Sequence, residues 1–449
     1  MSAITTVESG YAWFESTLSI DRGEYQANRY RLARMRSLLQ AFGDPHLACR
    51  VIHVAGSKGK GSTAALIGSV LHTAGMRCGV YSSPHVESHR ERVRILDGSL
   101  SDDLAIDLFR RIERHFEAIR PHVPPPLLPT FFELATLFGF LAFRETGCEV
   151  AVIEVGIGGR TDATNLVRSV ASVVTPIELE HTDRLGFTLR AVAAEKSGII
   201  KRGVPVFVGR QHPEALATIR RVAELRNAPA YILEEHTVSL DADLTLDGTG
   251  MTLRLSNGYS LETRLRLIGR VHAENAALAA FVVSEFFPDV DAARIAAGLA
   301  GAWIPGRSEL VSGRPAILLD GAHTERSIGL LCRTATELCP DRASRVAVFG
   351  SVTGKNHASM LAHLVPAFSR IVITRPGTFK PSDLDELRDA CRELGGECEV
   401  CEDTDGALAA ARSPAHGVAV GLIVVTGSFY LVGEARRRLR AEHLTGRAV

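Results

Sequence analysis

Residues 50–74 hold the segment that most restricts the fold. A β-rich apolar run, RVIHVAG, breaks at Gly56 into SKGKGST, and a helical pattern follows over Ser62–Ala74. A strand that ends in a glycine-rich turn and leads into a helix aims backbone N–H groups and the positive helix end at one spot, an arrangement suited to phosphate. The spelling departs from the common G-x-x-x-x-G-K-[S/T] loop. Gly61 separates Lys60 from Ser62 and Thr63, and a second lysine, Lys58, precedes Lys60 by two positions. Gly56, Gly59 and Gly61 allow the backbone to turn inward around phosphate oxygens. Lys60 can neutralise β/γ-phosphate charge, and Ser62 or Thr63 can offer a hydroxyl to Mg²⁺. Lys58 is either a solvated loop residue or an added positive charge near the phosphates.

The rest of the chain repeats the strand–helix alternation. Apolar strands are expected at Cys78–Ser83, Glu149–Glu154, Ser172–Ile177 and Val204–Val208, with a helix-like TFFELATLFGFLAFRE before the second. Such alternation favours a parallel α/β sheet. From about 230 to 268 the pattern alternates residue by residue, and Asn257-Gly258 is a hairpin signal, so antiparallel strands are appended to this first domain. Helical patterns then cover Ala273–Phe287 and a stretch ending near Gly301, and Trp303–Gly306 reads as a linker. Beyond it AILLDGAH, RVAVFGS, RIVITRP, ECEVC and LIVVTGS predict a second, Rossmann-like α/β domain. The expected division is 1–304 and 305–449, consistent with a 449-residue chain too long for one core. The basic EARRRLRAEH near the end reads as a solvated helix face.

Composition narrows the function classes. Lysine plus arginine and aspartate plus glutamate number 51 each, which argues against binding nucleic acid or an anionic membrane through bulk charge. The N-terminal MSAITTVESGYAWFE lacks a signal-peptide pattern, and the strongest apolar run, Phe131–Phe143, contains Glu133 and is shorter than a membrane span. The cysteines are scattered, and Cys398 and Cys401 fall in an alternating strand pattern rather than a metal or redox pair. A cytoplasmic protein with reduced thiols is expected.

Three more positions stand out. Glu154 ends an apolar strand and is suited to hold Mg²⁺ beside a phosphate loop, or simply to meet solvent. It leads into a loop whose Gly156, Gly158 and Gly159 would let backbone approach a ligand. His181 follows another strand, where a satisfied loop histidine is the plainer reading. Lys196 lies beside Glu195 in a helix-like segment, where surface charge is the plainer reading.

The ordered set HVAGSKGKGST, YSSPHVESHRERVRI, EVGIGGRTDATN, EHTDRLG with EKSGIIKRG, PGR, LDGAHT and VTGSFYLVG resembles the folylpolyglutamate synthase and dihydrofolate synthase family, a branch of the Mur ligases. The resemblance implies an N-terminal P-loop ATPase domain, a C-terminal Rossmann-like domain and an active site in the cleft between them. It implies ATP-dependent joining of L-glutamate to dihydropteroate or a reduced folate, through an acyl phosphate. Residue by residue, it makes Gly56, Ser57, Lys58, Gly59, Lys60, Gly61, Ser62 and Thr63 the ATP loop, with Lys60 its lysine. Ser62, Ser83 and Glu154 would serve a first Mg²⁺ and His181 a second, with Lys196 carried as a carbamate. Asn275, Arg307, Asp320 and His323 would reach the nucleotide, and Pro84, His85, Phe131 and Phe132 the pterin side. For the two phenylalanines, ordinary helix core is an equal reading. His272 stands where many relatives have glutamine. Thr324 replaces an asparagine common in bacterial members, and Lys58 another asparagine; both lean toward polyglutamylation. A monomer acting on small molecules is expected. The alternatives are a Mur-type ligase for a non-folate carboxylate and a nucleotide-binding regulator without catalysis.

Overall fold

A computed structural model describes residues 3–17, 31–377, 381–414 and 417–444. Seven strands form the first sheet: β1 (Arg50–Ala55), β2 (Cys78–Tyr81), β3 (Val93–Ile95), β4 (Val150–Glu154), β5 (Ser169–Val174), β6 (Val206–Val208) and β7 (Ala230–Ile232). Their order is β3-β2-β4-β1-β5-β6-β7, and β3 alone runs antiparallel to its neighbour. β1 therefore lies at the centre, with β4 paired on one side and β5 on the other. Strands β2, β4 and β6 are buried throughout, which is why they read as continuous apolar runs rather than alternating ones.

Helices cover both faces. On one, Lys60–Thr73 and Arg270–Phe286 pack with Ile52, Val54, Leu66, Phe281 and Leu253 in one core. On the other, Asp102–Ile119 and Phe131–Glu145 bring Phe109, Phe138 and Leu141 against Val51, Ala151 and Ile153. Phe109 and Phe138 stack at 4.3 Å between centroids.

A second, antiparallel sheet comprises β8 (Thr237–Thr245), β9 (Gly248–Leu255) and β10 (Ser260–Leu265), with Asn257-Gly258 in the turn between the last two. The antiparallel region starts later than the alternation suggests, because Ala230–Ile232 completes the parallel sheet beside β6. The following helix starts at Arg270, three residues before the expected Ala273.

The third sheet contains β11 (Glu309–Val311), β12 (Ala316–Leu319), β13 (Arg345–Phe349), β14 (Arg370–Thr374), β15 (Cys398–Cys401) and β16 (Leu422–Thr426). Its order is β11-β12-β16-β13-β14-β15, parallel except for β11. Cys398 and Cys401 lie in β15, and all eight cysteines are free.

The terminal helix Phe429–Leu444 corrects one expectation. Arg436, in the middle of the basic run, is only 2% exposed and ion-paired, so this is not a uniformly solvated face. Its neighbours Val432 and Leu439, four residues before and three after, are core residues, which places Arg436 on the buried side.

Candidate active site

A cavity of about 1080 Å³ opens at the carboxyl ends of β1, β4 and β5 and is closed on the far side by residues of the third sheet's loops. Its position beside β1, where the strand order reverses, is the usual place for a ligand in an open α/β sheet.

The loop Gly56–Gly59 is fixed from behind. The Ser57 and Lys58 N–H groups donate to Pro176 O, and Ser57 Oγ donates to Glu178 O while accepting from Glu178 N. Gly59 is left-handed (φ 80°) and caps the helix Lys60–Thr73. A Cβ on Gly59 would stand 2.3 Å from Asn275 Oδ1, and one on Gly61 3.0 Å from Glu154 Oε2. The extra glycine that distorts the P-loop spelling thus lies where a buried carboxylate meets the first helical turn. Ser57, Lys58, Gly59, Lys60, Gly61 and Ser62 line the cavity, whereas Thr63 is fully buried behind it.

Glu154 is 3% exposed and accepts the Ser83 N–H at 2.9 Å. Burial raises its pKa, against the opposing charges of Lys60, Arg307 and Arg92. Ser62, Ser83 and Glu154 line one cavity and are all oxygen donors. A buried carboxylate held above its ordinary pKa gains from a cation, and Mg²⁺ needs only one or two carboxylates besides phosphate and water. The donor set therefore fits Mg²⁺, although the described residues contain no cluster of three or more His, Cys, Asp or Glu able to hold a metal unaided.

Lys196 is 1% exposed, contrary to the surface reading of the sequence. It ends the helix Leu189–Lys196, with Val192 four residues earlier on the same buried side. Its Nζ donates to Gly56 O at 2.6 Å and Glu180 Oε1 at 2.7 Å, joining the phosphate loop to the segment carrying His181. Burial and the Lys60 charge lower its pKa to about 8, although Glu180 pulls the other way. Burial works to raise the Glu180 pKa, but Lys60, Lys196 and Lys58 outweigh it and the net shift is downward. His181 lines the cavity with a left-handed backbone (φ 46°), and burial lowers its pKa. Lys58 also lines the cavity, and burial lowers its pKa too.

Pro84, His85, Phe131 and Phe132 also line the cavity. His85 Nδ1 accepts from Arg92 Nε at 3.0 Å, and the Arg92 guanidinium lies 5.3 Å from the Phe131 ring centre. Burial and Arg92 push the His85 pKa down to about 3, so the ring is neutral. Both phenylalanines are partly buried at the start of their helix, facing the cavity and bordering core at once.

From the C-terminal half, Arg307 and His323 line the cavity. The Arg307 guanidinium lies 4.2 Å from the Phe429 ring centre. Burial lowers its pKa, with Asp320 and Glu154 opposing. Asp320 sits one layer back, accepting from Ser308 N and Oγ at 2.7 and 2.8 Å and from Ala322 N at 2.8 Å. Burial lowers the His323 pKa to about 4. Asn275, Asp320, Gly56, Thr63 and Lys196 thus support the wall from behind. Thr324 caps the helix Glu325–Leu338 in a reciprocal arrangement with Ser327, a backbone task that explains a hydroxyl there. His272 is 5% exposed, and burial lowers its pKa to about 4.

Sequence reasoning missed Arg34, Arg92, Glu180, Arg184 and Lys355, all on the cavity wall. Glu180, directly before His181, and Arg184, three residues after it, carried a signal, as did Arg92, seven residues after His85; Arg34 and Lys355 gave none, because tertiary packing alone brings them in.

Residues 127–283 match the Mur ligase middle domain, and 306–429 match the Mur ligase, glutamate ligase domain. The dihydrofolate synthase/folylpolyglutamate synthase of Bacillus subtilis is 32% identical over 415 residues, covering 91% of this chain and 95% of that protein. The chain belongs to the folylpolyglutamate synthase and dihydrofolate synthase family of Mur ligases. A probable bifunctional folylpolyglutamate synthase/dihydropteroate synthase of Haloferax volcanii is 34% identical over 408 residues, covering 90% of this chain and 47% of that protein. The chain spans about half the length of the haloarchaeal relatives it matches. The solved Mycobacterium tuberculosis folylpolyglutamate synthase complexed with ADP superposes with a TM-score of 0.86 at 29% identity, over 96% of this chain and 99% of that one. This Mur ligase therefore shares its architecture with a nucleotide-bound relative along nearly its whole length.

Proposed function

We propose that the chain is an ATP-dependent ligase that joins L-glutamate to a folate-type acceptor through an acyl phosphate, dividing near residue 305 into an ATP-binding and a C-terminal domain. The observation that carries this reading is one cavity lined together by the glycine-rich loop, the buried Glu154, and the Arg92–Phe131 pair with Phe132 and His85. That layout suits an anionic acceptor bearing a flat ring and brings its carboxylate toward ATP.

In this reading the N–H groups of the first turn of the helix Lys60–Thr73 and the Lys60 side chain hold the β- and γ-phosphates, and Arg307 approaches them from the C-terminal half. Ser62, Ser83 and Glu154 would hold one Mg²⁺, and His181 a second. When bound, these ions offset the repulsion between the acceptor carboxylate and the phosphate it attacks. As an amine, Lys196 is a hydrogen-bond donor and offers no ligand; carbamylation would turn it into a carboxylate-like group beside His181. Phe131, Phe132, Pro84 and His85 would hold the ring of the acceptor, and the neutral His85 suits an uncharged heterocycle. Asn275, Asp320 and His323 would act on the nucleotide side. The acceptor oxygen takes the γ-phosphoryl group and releases ADP; the glutamate amine then attacks the acyl carbon, and phosphate leaves. The reading calls for small-molecule substrates and a monomeric cytoplasmic enzyme; the described residues contain no helix long and apolar enough to cross a membrane.

The test is a paired assay with ATP, Mg²⁺ and L-glutamate, comparing dihydropteroate with tetrahydrofolate. One ADP and one phosphate should appear per amide bond. AMP as product, or no ligation with either acceptor, would refute the reading.

A further inference from the structure

The helix Phe429–Leu444 begins on the cavity wall and, two turns on, buries Arg436 outside it. The Arg436 guanidinium bonds Glu309 through Nε, at 2.8 and 2.9 Å to the two carboxylate oxygens, and Glu87 through Nη1. It also lies 5.2 Å from the Trp303 ring centre. Each contact leads back to the site. Glu87 is two residues beyond His85 and four beyond Ser83, on a segment whose Val86, Glu87 and Ser88 N–H groups are all gripped by Glu91. Glu309 Oε2 accepts the Gly306 N–H at 2.8 Å, so Gly306 and Glu309 bracket Arg307. The helix approaches this loop so closely that a Cβ on Gly433 would stand 2.2 Å from Val86 O.

We propose that Arg436 is a positioning residue for the ligation. It sets the segment Ser83–Glu87 in register with Arg307 and Phe429, whose chain neighbours Gly306 and Gly433 lie against Val86. One buried guanidinium satisfies two carboxylates that would otherwise repel, and its planar fork does so in a single orientation. Lysine, a point charge, would keep the charge but not the orientation. The proposal rests on the ligase reading above.

The test uses the full-length chain with R436Q, R436K, E87Q and the R436Q/E87Q double variant. Misplacement of a reacting group by about 1 Å costs on the order of 10²-fold. R436Q and E87Q should therefore each lower kcat by about 10- to 100-fold, while affinity for a non-hydrolysable ATP analogue falls by less than about fivefold, because only Arg307 is displaced and the phosphate loop is untouched. The double variant should be no worse than the worse single one. R436K should recover thermal stability but not kcat, a split that a purely structural role would not produce. Folded R436Q with kcat within about threefold of wild type, or losses that multiply in the double variant, would overturn the proposal. If R436Q fails to fold, E87Q and R436K decide it on the same criteria. A wild-type chain without ligation sinks the ligase reading and this role with it. An active wild type with unaffected variants sinks the positioning role alone.

Discussion

Gly61→Ala separates folding from chemistry in this site. Gly61 is in the first turn of the helix Lys60–Thr73 and has no left-handed backbone, so alanine suits its conformation. By helix propensity the substitution should stabilise the chain by roughly 0.5–1 kcal/mol. The new methyl group, however, would stand 3.0 Å from Glu154 Oε2, which is inside ordinary van der Waals contact. Glu154 is buried and held by the Ser83 N–H at 2.9 Å, so relieving the contact moves both the carboxylate and the turn that bears Ser83. If Glu154 helps orient the reacting phosphate as proposed, a shift of about half an ångström should cost about tenfold in kcat, or about 1.4 kcal/mol of transition-state stabilisation. Phosphate release measured beside thermal unfolding should show activity falling while the melting temperature holds or rises. Full activity would show that Glu154 does not need its place. A fall of several degrees would show that the helix, not the carboxylate, gives way.

Lys60→Ala should lose about 10²-fold or more in turnover, by analogy with deleting one donor from a preorganised site, with steady-state ligation as the measure. Lys196, with its pKa lowered to about 8, should be carbamylated by ¹³C-bicarbonate progressively as pH rises through 8, giving a ¹³C resonance that Lys196→Arg abolishes. Its folded pKa lies below its unfolded value, so the unfolded chain binds more protons between them. Apo stability should therefore rise from about pH 8 toward 10.5, a gain missing from Lys196→Met; a flat wild-type profile would refute the burial argument.

The parts of this protein visible in its sequence are those fixed locally. The strand–glycine–helix order placed the phosphate loop, and an acidic residue ending an apolar run placed Glu154, because chain direction alone carries both to the same sheet edge. Lys196 and Arg436 were harder, since a charged residue reads as surface unless its neighbours are weighed. Val192 lies four residues before Lys196, and Val432 and Leu439 flank Arg436 at helical spacing, so each charge sat in an apolar stripe that could have been noticed. Arg34 and Lys355 had no such trace, because folding of distant segments brings them to the cavity, whereas Arg184 lies three residues after His181 and could have been found with it. Thr324 shows the opposite risk: a residue that invites a reading about acceptor choice has a sufficient cause in capping a helix.

The strand order of the first sheet has a consequence for how a site on this fold diversifies. The phosphate loop hangs from β1, and the segment leading to His181 follows β5, on one side of Glu154. The Ser83–His85 turn follows β2, toward the other edge, and Phe131–Phe132 begin the helix that leads into β4. These two groups of lining residues are thus carried by different stretches of chain. On the proposed function, a lineage can redraw the residues that would choose the acceptor, by lengthening a loop or exchanging an aromatic ring, while those that would handle ATP are inherited intact.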